Sequence, residues 1–314
     1  MNEHRRELDV VIVGGSTAGL SAALLLGRAR RSVLVCDEDR PRNQSAERVQ
    51  GFYSRDAIPP AELKGIARRQ LEPYRSVRFA DVSVSAVRRQ DGAGFVASLA
   101  DGTTCAARYL LFATGLYDDL PPIEGLAPLW GRSVFGCPYC DGWEVRDQPL
   151  AAYARGRGGF DLALLLLGWS ADVVVCSDGD AQFSPDERRV LEKKSVRLIE
   201  TPVVGFEGFG TKLKAIVFSG GTTLARSAAF VRVPLRQASP LPERLGCALD
   251  AEGSIVVSPD GQTSVRGAYA AGDAVTSLHQ VSLAAASGTR AAIGINTALV
   301  GDGRERLFEA ADIS

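Results

Sequence analysis

Histidine is nearly absent from this sequence and cysteine is sparse, and the two shortages together remove several functions. The only histidines are His4 and His279, at opposite ends of 314 residues, and there is no second Cys-x-x-Cys, so a four-ligand zinc centre has no ligands to draw on. Four of the six cysteines, Cys36, Cys105, Cys176 and Cys247, are scattered singly, which excludes a disulfide framework of the secreted type. An excess of charge of one sign is also missing. With 36 basic against 37 acidic residues the net charge is −1, so no overall field draws the chain to nucleic acid or to an anionic membrane. Arg28, Arg30 and Arg31 form a local cluster that reads as the solvated C-terminal end of a helix. Long hydrophobic runs are lacking too: the longest, residues 162–169, is too short to cross a bilayer. These absences predict a cytoplasmic enzyme with no nucleic-acid or membrane partner.

What is present is a repeated α/β rhythm. Residues 9–13 form an apolar, β-branched strand, followed by the turn Gly14-Gly15-Ser16-Thr17-Ala18-Gly19 and an Ala/Leu-rich helix over 20–26. Residues 32–36 then return to strand and end at Asp37, followed by Glu38. The same order recurs with a strand over 150–154, a Gly-rich turn over 155–159, a helix over 160–168 and a strand over 172–176. Ser184-Pro185-Asp186-Glu187 has the composition of a capping box and predicts a helix running to about Lys194. The prolines at 121–122 and at 234, 240 and 242 suit crossings between domains. Residues 254–257 and 268–271 read as strands, and a long Ala-rich helix follows His279. The predicted architecture is α/β with two Rossmann-like, doubly wound, three-layer domains. A discontinuous nucleotide domain over 1–120 and 240–314 holds an inserted domain over 121–239.

In such a fold the glycines of the first turn let backbone approach a pyrophosphate, and an acid after the second strand holds a ribose hydroxyl. Gly14, Gly19 and Asp37 meet these demands, while Ser16 replaces the middle glycine and offers a hydroxyl to a phosphate. Phe112-Ala113-Thr114-Gly115 follows an apolar strand, and Ala270-Ala271-Gly272-Asp273 lies between a strand and the helix that opens near Gln280. The pair Cys137 and Cys140, in Gly136-Cys-Pro-Tyr-Cys-Asp-Gly-Trp-Glu144, stands apart from the other cysteines. A redox disulfide explains it better than zinc or an inert buried pair, and a helix start at Cys137 would favour its thiolate.

The order of these motifs along nearly the whole chain resembles the thioredoxin-reductase-like flavoproteins. Within them, "CPYCDGWE", "GGSTAGLSAALLLGRARR" and the upstream "PRN" resemble the FAD-dependent dithiol oxidases that close disulfides in natural products such as gliotoxin, holomycin and romidepsin, with the bacterial romidepsin type nearest. The resemblance implies FAD held by Gly14, Gly15, Ser16, Ala18, Gly19, Asp37, Glu38, Arg42, Asn43, Val82, Ala113, Thr114, Gly115, Gly272 and Asp273, with Gln280 and Val281 facing the flavin. It implies that Cys137 exchanges with substrate, that Cys140 is flavin-proximal and that Asp141 is the acid/base, a role that fungal members give to a histidine. It also implies a small-molecule dithiol substrate, dioxygen as acceptor and a homodimer.

The second nucleotide-type fold decides between oxidase and reductase. Ala154 stands where the first glycine of the turn is expected, and after the second strand come Ser177-Asp178-Gly179-Asp180, whose acids would repel a ribose phosphate. Arg155 and Arg157 remain available to a pyrophosphate. NADP is therefore not expected as a cofactor. Two other readings stay open: a pyridine-nucleotide-dependent reductase of thioredoxin or a small disulfide, and a flavin-based redox sensor without turnover. The aromatics Phe52, Tyr53, Phe135, Tyr139 and Trp143 are candidates for an apolar substrate cavity or for core.

Overall fold

A computed structural model describes residues 8–90 and 94–311, with side chains described as far as residue 303; His4 lies outside them. Contacts divide the chain into two units. One takes the chain as far as Arg42, Ala61–Tyr117 and the stretch from Arg236 onward; the other takes Asn43–Pro60 and Asp118–Leu235.

The first unit is built on a seven-stranded sheet. Its order is Val77–Ala80, Val33–Cys36, Leu8–Val13, Thr104–Phe112, Phe95–Leu99 and Val84–Arg89, and Ala268–Ala270 pairs with Thr104–Phe112. The strands from Val77–Ala80 through Thr104–Phe112, together with Ala268–Ala270, run parallel, whereas the Val84–Arg89 and Phe95–Leu99 edge is antiparallel. The central strand reads Leu-Asp-Val-Val-Ile-Val and buries both faces, as a parallel strand covered on either side must. Val10 and Ile12 meet the core under the helices, while Val11 and Val13 meet the core on the opposite face.

The helix Thr17–Arg28 begins three residues before the predicted 20, because Ser16 already adopts the extended backbone of a cap. Arg28 and Arg31 at its end are engaged, with the Tyr74 hydroxyl at 3.1 Å and the Asn296 side chain at 2.7 Å. The last helix, Val281–Ala311, packs on this one. A Cβ on Gly288 would lie 2.0 Å from the Ala18 carbonyl oxygen, so the two backbones touch there. Gly288→Ala must push the helices apart and is expected to lower stability by about 3 kcal/mol. An unchanged denaturation midpoint would contradict that contact.

Residues 254–257 do not form the predicted strand. Ile255 and Val257 make only isolated bridges, to Leu249 and Thr263. Their β-branched character favours extended backbone, but positive-φ turns at Gly253 and Gly261 break the segment before a ladder can form.

The second unit has a five-stranded parallel sheet in the order Arg197–Ile199, Val173–Cys176, Leu150–Tyr153, Ala228–Val231 and Val134–Phe135. A three-stranded antiparallel sheet, Val203–Phe209, Lys212–Phe218 and Thr223–Ala225, accompanies it. The helix after the Gly-rich turn spans Arg157–Leu166 rather than 160–168, since Gly156, at φ 60°, turns the chain into it early. The predicted capping box is formed: the Glu187 N–H donates to Ser184 Oγ at 3.2 Å and the Ser184 N–H donates to Glu187 Oε2 at 2.9 Å. That helix spans Pro185–Lys193. The two halves are thus both α/β layers about mainly parallel sheets, the predicted class. Among the described residues no helix is long and apolar enough to cross a membrane.

Candidate active site

In the first unit, motifs separated by more than two hundred residues come together. Gly14 has φ 105°, and a Cβ there would lie 2.3 Å from the Ala113 carbonyl oxygen, so the first turn runs directly against the Ala-Thr-Gly segment. A Cβ on Gly272 would meet that of Ala18 at 2.9 Å, which brings the Gly-Asp segment to the start of the first helix. The Gly272 N–H donates to Ser287 Oγ at 3.1 Å, and the Ala284 N–H to the Gln280 carbonyl at 2.9 Å, so Gln280 and Val281 open the last helix as expected.

Three details suit a dinucleotide at this junction. Thr114 Oγ1 is buried without a hydrogen-bond partner, although every buried hydroxyl should have one. Ser16 caps its helix by backbone alone, so its hydroxyl is not spent as a cap. Asp37 ends the second strand's turn with its N–H bonded to the Ala80 carbonyl at 3.0 Å.

Other predicted residues are placed as follows. Val82 is half-buried in the apolar cluster below the sheet. Glu38 is exposed and 4.0 Å from Arg40. Arg42 Nη1 sits 3.1 Å from Asp273 Oδ2, an ion pair between two predicted cofactor ligands that the sequence did not foreshadow. Asn43 groups by contacts with the second unit and accepts the Ala46 N–H at 3.1 Å. A ring nitrogen of His279 lies 2.8 Å from the Thr276 carbonyl oxygen, so that nitrogen serves as a local donor at the helix start.

In the second unit Cys137 and Cys140 are disulfide-bonded, with Cα atoms 5.3 Å apart. Cys137 is the N-cap, Pro138 occupies the first helical position, and the helix ends at Asp141 after one turn. The expected help of a helix dipole shrinks accordingly. The N–H groups of Cys140 and Asp141 both donate to the Cys137 carbonyl, at 3.1 and 3.2 Å, and not to its sulfur. Gly142 follows with a tight approach that sequence reasoning missed: a Cβ there would meet the Trp169 ring at 2.8 Å. Trp169 also stacks edge-on against Tyr139, centroids 5.7 Å apart, and so supports the turn from beneath. Of the other aromatics, Phe135 is core, whereas Tyr53, Tyr139 and Trp143 are 87%, 72% and 65% exposed. Arg146 covers Trp143, its guanidinium 4.0 Å from the ring centroid.

Loss of water around Asp141, with the charge of Glu144 adding to it, pushes its carboxyl up to about 7. Such a group is half-ionised near neutral pH and both takes and gives a proton there. The same shift has a sign for stability. A carboxyl raised from 3.8 to about 7 keeps its proton more tightly in the folded chain, so its contribution is complete below 3.8 and is lost as pH rises through 7. Asp141→Asn should therefore be more stable than the parent at pH 8, by up to about 4 kcal/mol, and equal to it near pH 4. Denaturation midpoints that differ by the same amount at both pH values would contradict the shift.

In the second unit the arginines and acids of this region pair with one another. Arg155 donates to the Asp178 carboxylate at 2.6 Å and to its carbonyl at 3.1 Å. The same carboxylate accepts from the Tyr153 hydroxyl at 3.1 Å and from the Val203 N–H at 2.9 Å. Arg157 lies 3.5 Å from Glu187, and Arg188 pairs with Glu200 at 2.7 Å and lies 3.9 Å from Asp180. The sequence read these acids as repelling phosphate; it did not show that they also engage the arginines.

Comparison with known proteins agrees with this geometry. Residues 8–288 match the family model described as pyridine nucleotide-disulphide oxidoreductase. The thioredoxin reductase tcpT of Claviceps purpurea (strain 20.1) is 32% identical over 316 residues, which cover 96% of this chain and 98% of that protein. Thioredoxin reductase sirT of Leptosphaeria maculans is 28% identical, covering 93% and 94%. Among solved structures, HlmI superposes with a TM-score of 0.93 at 35% identity, covering 98% of each chain. The putative thioredoxin reductase TrxB of Bacillus anthracis gives 0.90 at 32%, covering 94% of this chain and 99% of its own. The chain therefore belongs to the pyridine nucleotide-disulphide oxidoreductase family, as an oxidoreductase of the thioredoxin-reductase-like type.

Proposed function

We propose that the protein is an FAD-dependent dithiol oxidase that forms a disulfide in a small natural-product dithiol, with dioxygen as acceptor and without NADP. In this reading the unit bearing the Gly14 turn is the FAD domain, the other unit carries Cys137 and Cys140, and the enzyme works as a homodimer. The observation that carries the choice of oxidase over reductase is the pairing of Arg155 with Asp178. Those two residues stand where a pyridine nucleotide would need cations, and they satisfy each other instead.

FAD would be held by the first turn, Asp37, Thr114 and Asp273, and when bound it supplies a two-electron acceptor that dioxygen can reoxidise to give hydrogen peroxide. The chain's own residues do the sulfur chemistry. A substrate thiolate attacks Cys137 Sγ, breaking the disulfide and releasing Cys140 as thiolate. The second substrate thiol, giving up its proton, displaces Cys137, and the product leaves as a disulfide. The enzyme then holds two reduced cysteines and has gained the two electrons that the substrate lost. Asp141, with its carboxyl near 7, takes and returns the protons beside the pair.

The test is an oxygen-electrode assay with dithiothreitol as probe. Oxygen uptake matched mole for mole by peroxide, and unaffected by NADPH, is the expected result; uptake only when NADPH is present would favour a reductase.

A further inference from the structure

Lys64 lies on the helix Pro60–Leu71, where a lysine is ordinarily solvated. Its side chain is nevertheless only 15% exposed, and its ammonium bonds to Asp37 Oδ2 and, at 2.6 Å, to Asp39 Oδ1. The Asp37 side chain is itself 11% exposed. On its other side it packs on the glycine turn: a Cβ at Gly15 would meet Asp37 Oδ2 at 2.8 Å. One carboxylate oxygen is thus held between the turn and Lys64. Among the described residues Asp37 Oδ2 is bonded by this lysine alone and Oδ1 accepts no hydrogen bond.

We propose that Lys64 is a positioning residue for the adenosine ribose of the cofactor, acting through Asp37. The inference rests on the assignment of the Gly14 turn as the FAD site. Its physical basis is electrostatic and geometric. A carboxylate packed against a turn that receives a pyrophosphate repels that ligand unless a cation neutralises it, and a carboxylate without a partner is free to rotate. Lys64 prevents both. It offsets the charge of Asp37 and pins Oδ2, leaving Oδ1 to accept from a ribose hydroxyl. Asp39, 80% exposed, serves as the ammonium's second anchor and keeps its direction. The hydrogen bond from Lys64, with its charge beside it, lowers the Asp39 carboxyl below its ordinary value.

The probes are FAD, ADP and FMN, titrated into apoprotein prepared from the full chain, with quenching of intrinsic fluorescence as the readout for parent, Lys64→Met, Lys64→Gln and Lys64→Arg. The parent is expected to bind FAD and ADP. Both neutral variants should weaken FAD and ADP together, each about tenfold or more, since a hydrogen bond to a charged group is being removed. FMN, which lacks the adenosine ribose, should be unaffected, and Lys64→Arg should recover most of the loss. In an Asp37→Asn background Lys64→Met should cost nothing further. FAD and ADP affinities unchanged in both neutral variants, with the parent binding FAD normally, would overturn the role of Lys64 while leaving the FAD site intact. A parent that binds neither ligand would overturn the site assignment and with it this proposal. A general loss that includes FMN would show a structural role and would also overturn it.

Discussion

Cys140→Ser is expected to abolish dithiol oxidation, by about a thousandfold or more, in a protein that still binds FAD. The size follows from the chemistry of the pair. With Cys140 gone, Cys137 has no partner to release when a substrate thiolate arrives and none to close upon when the electrons must leave. A lone Cys137 can form a mixed disulfide but cannot turn over. Cofactor content should be unaffected, because the residues assigned to FAD, Asn43 apart, belong to the other unit of the fold. Peroxide production from dithiothreitol in the purified yellow variant is the measurement; a rate within tenfold of the parent would remove the thiol relay from the account.

Gly19→Ala should have the second large effect, through the cofactor and not the sulfur. A Cβ on Gly19 would lie 1.9 Å from the Gly14 carbonyl oxygen, a distance that no rotation of a side chain relieves. The first turn must therefore open, and with it the approach of Gly14 to Ala113 and the placement of Gly15 against Asp37. We expect FAD affinity to fall about a hundredfold or more, so that the variant purifies colourless. The Cys137–Cys140 disulfide should still form, as thiol titration before and after reduction would record. A variant that retained stoichiometric flavin would mean that the first turn is not the cofactor's pyrophosphate site.

Much of this was legible in the residues. The strand of β-branched residues before Gly14, the capping box at Ser184 and the Ala-rich final helix each carry a local signal, and each is found. The Cys-x-x-Cys pair was equally plain, since spacing alone allows the two sulfurs to meet. Where the sequence fell short, the missing information was a partner distant in the chain. Residues 254–257 have strand composition, yet a strand needs a neighbour, and glycine turns deny them one. Asp178 reads, with Asp180, as one of two acids that repel a phosphate; its meaning changes once Arg155, twenty-three positions earlier, is seen bonded to it. Lys64 carries no local mark at all, because a lysine on a helix face is ordinarily solvated. The one-turn length of the helix after Cys137 likewise weakens an argument from dipoles that spacing had suggested.

The most direct test of the central claim is anaerobic. The purified yellow protein is mixed separately with excess dithiothreitol and with NADPH, and the flavin absorbance is followed near its visible maximum. Bleaching by the dithiol alone, reversed in air with one peroxide formed per dithiol oxidised, is what the pairing of Arg155 with Asp178 and the Cys137–Cys140 disulfide lead us to expect. Rapid bleaching by NADPH would contradict the account, because electrons would then run from nicotinamide toward a disulfide.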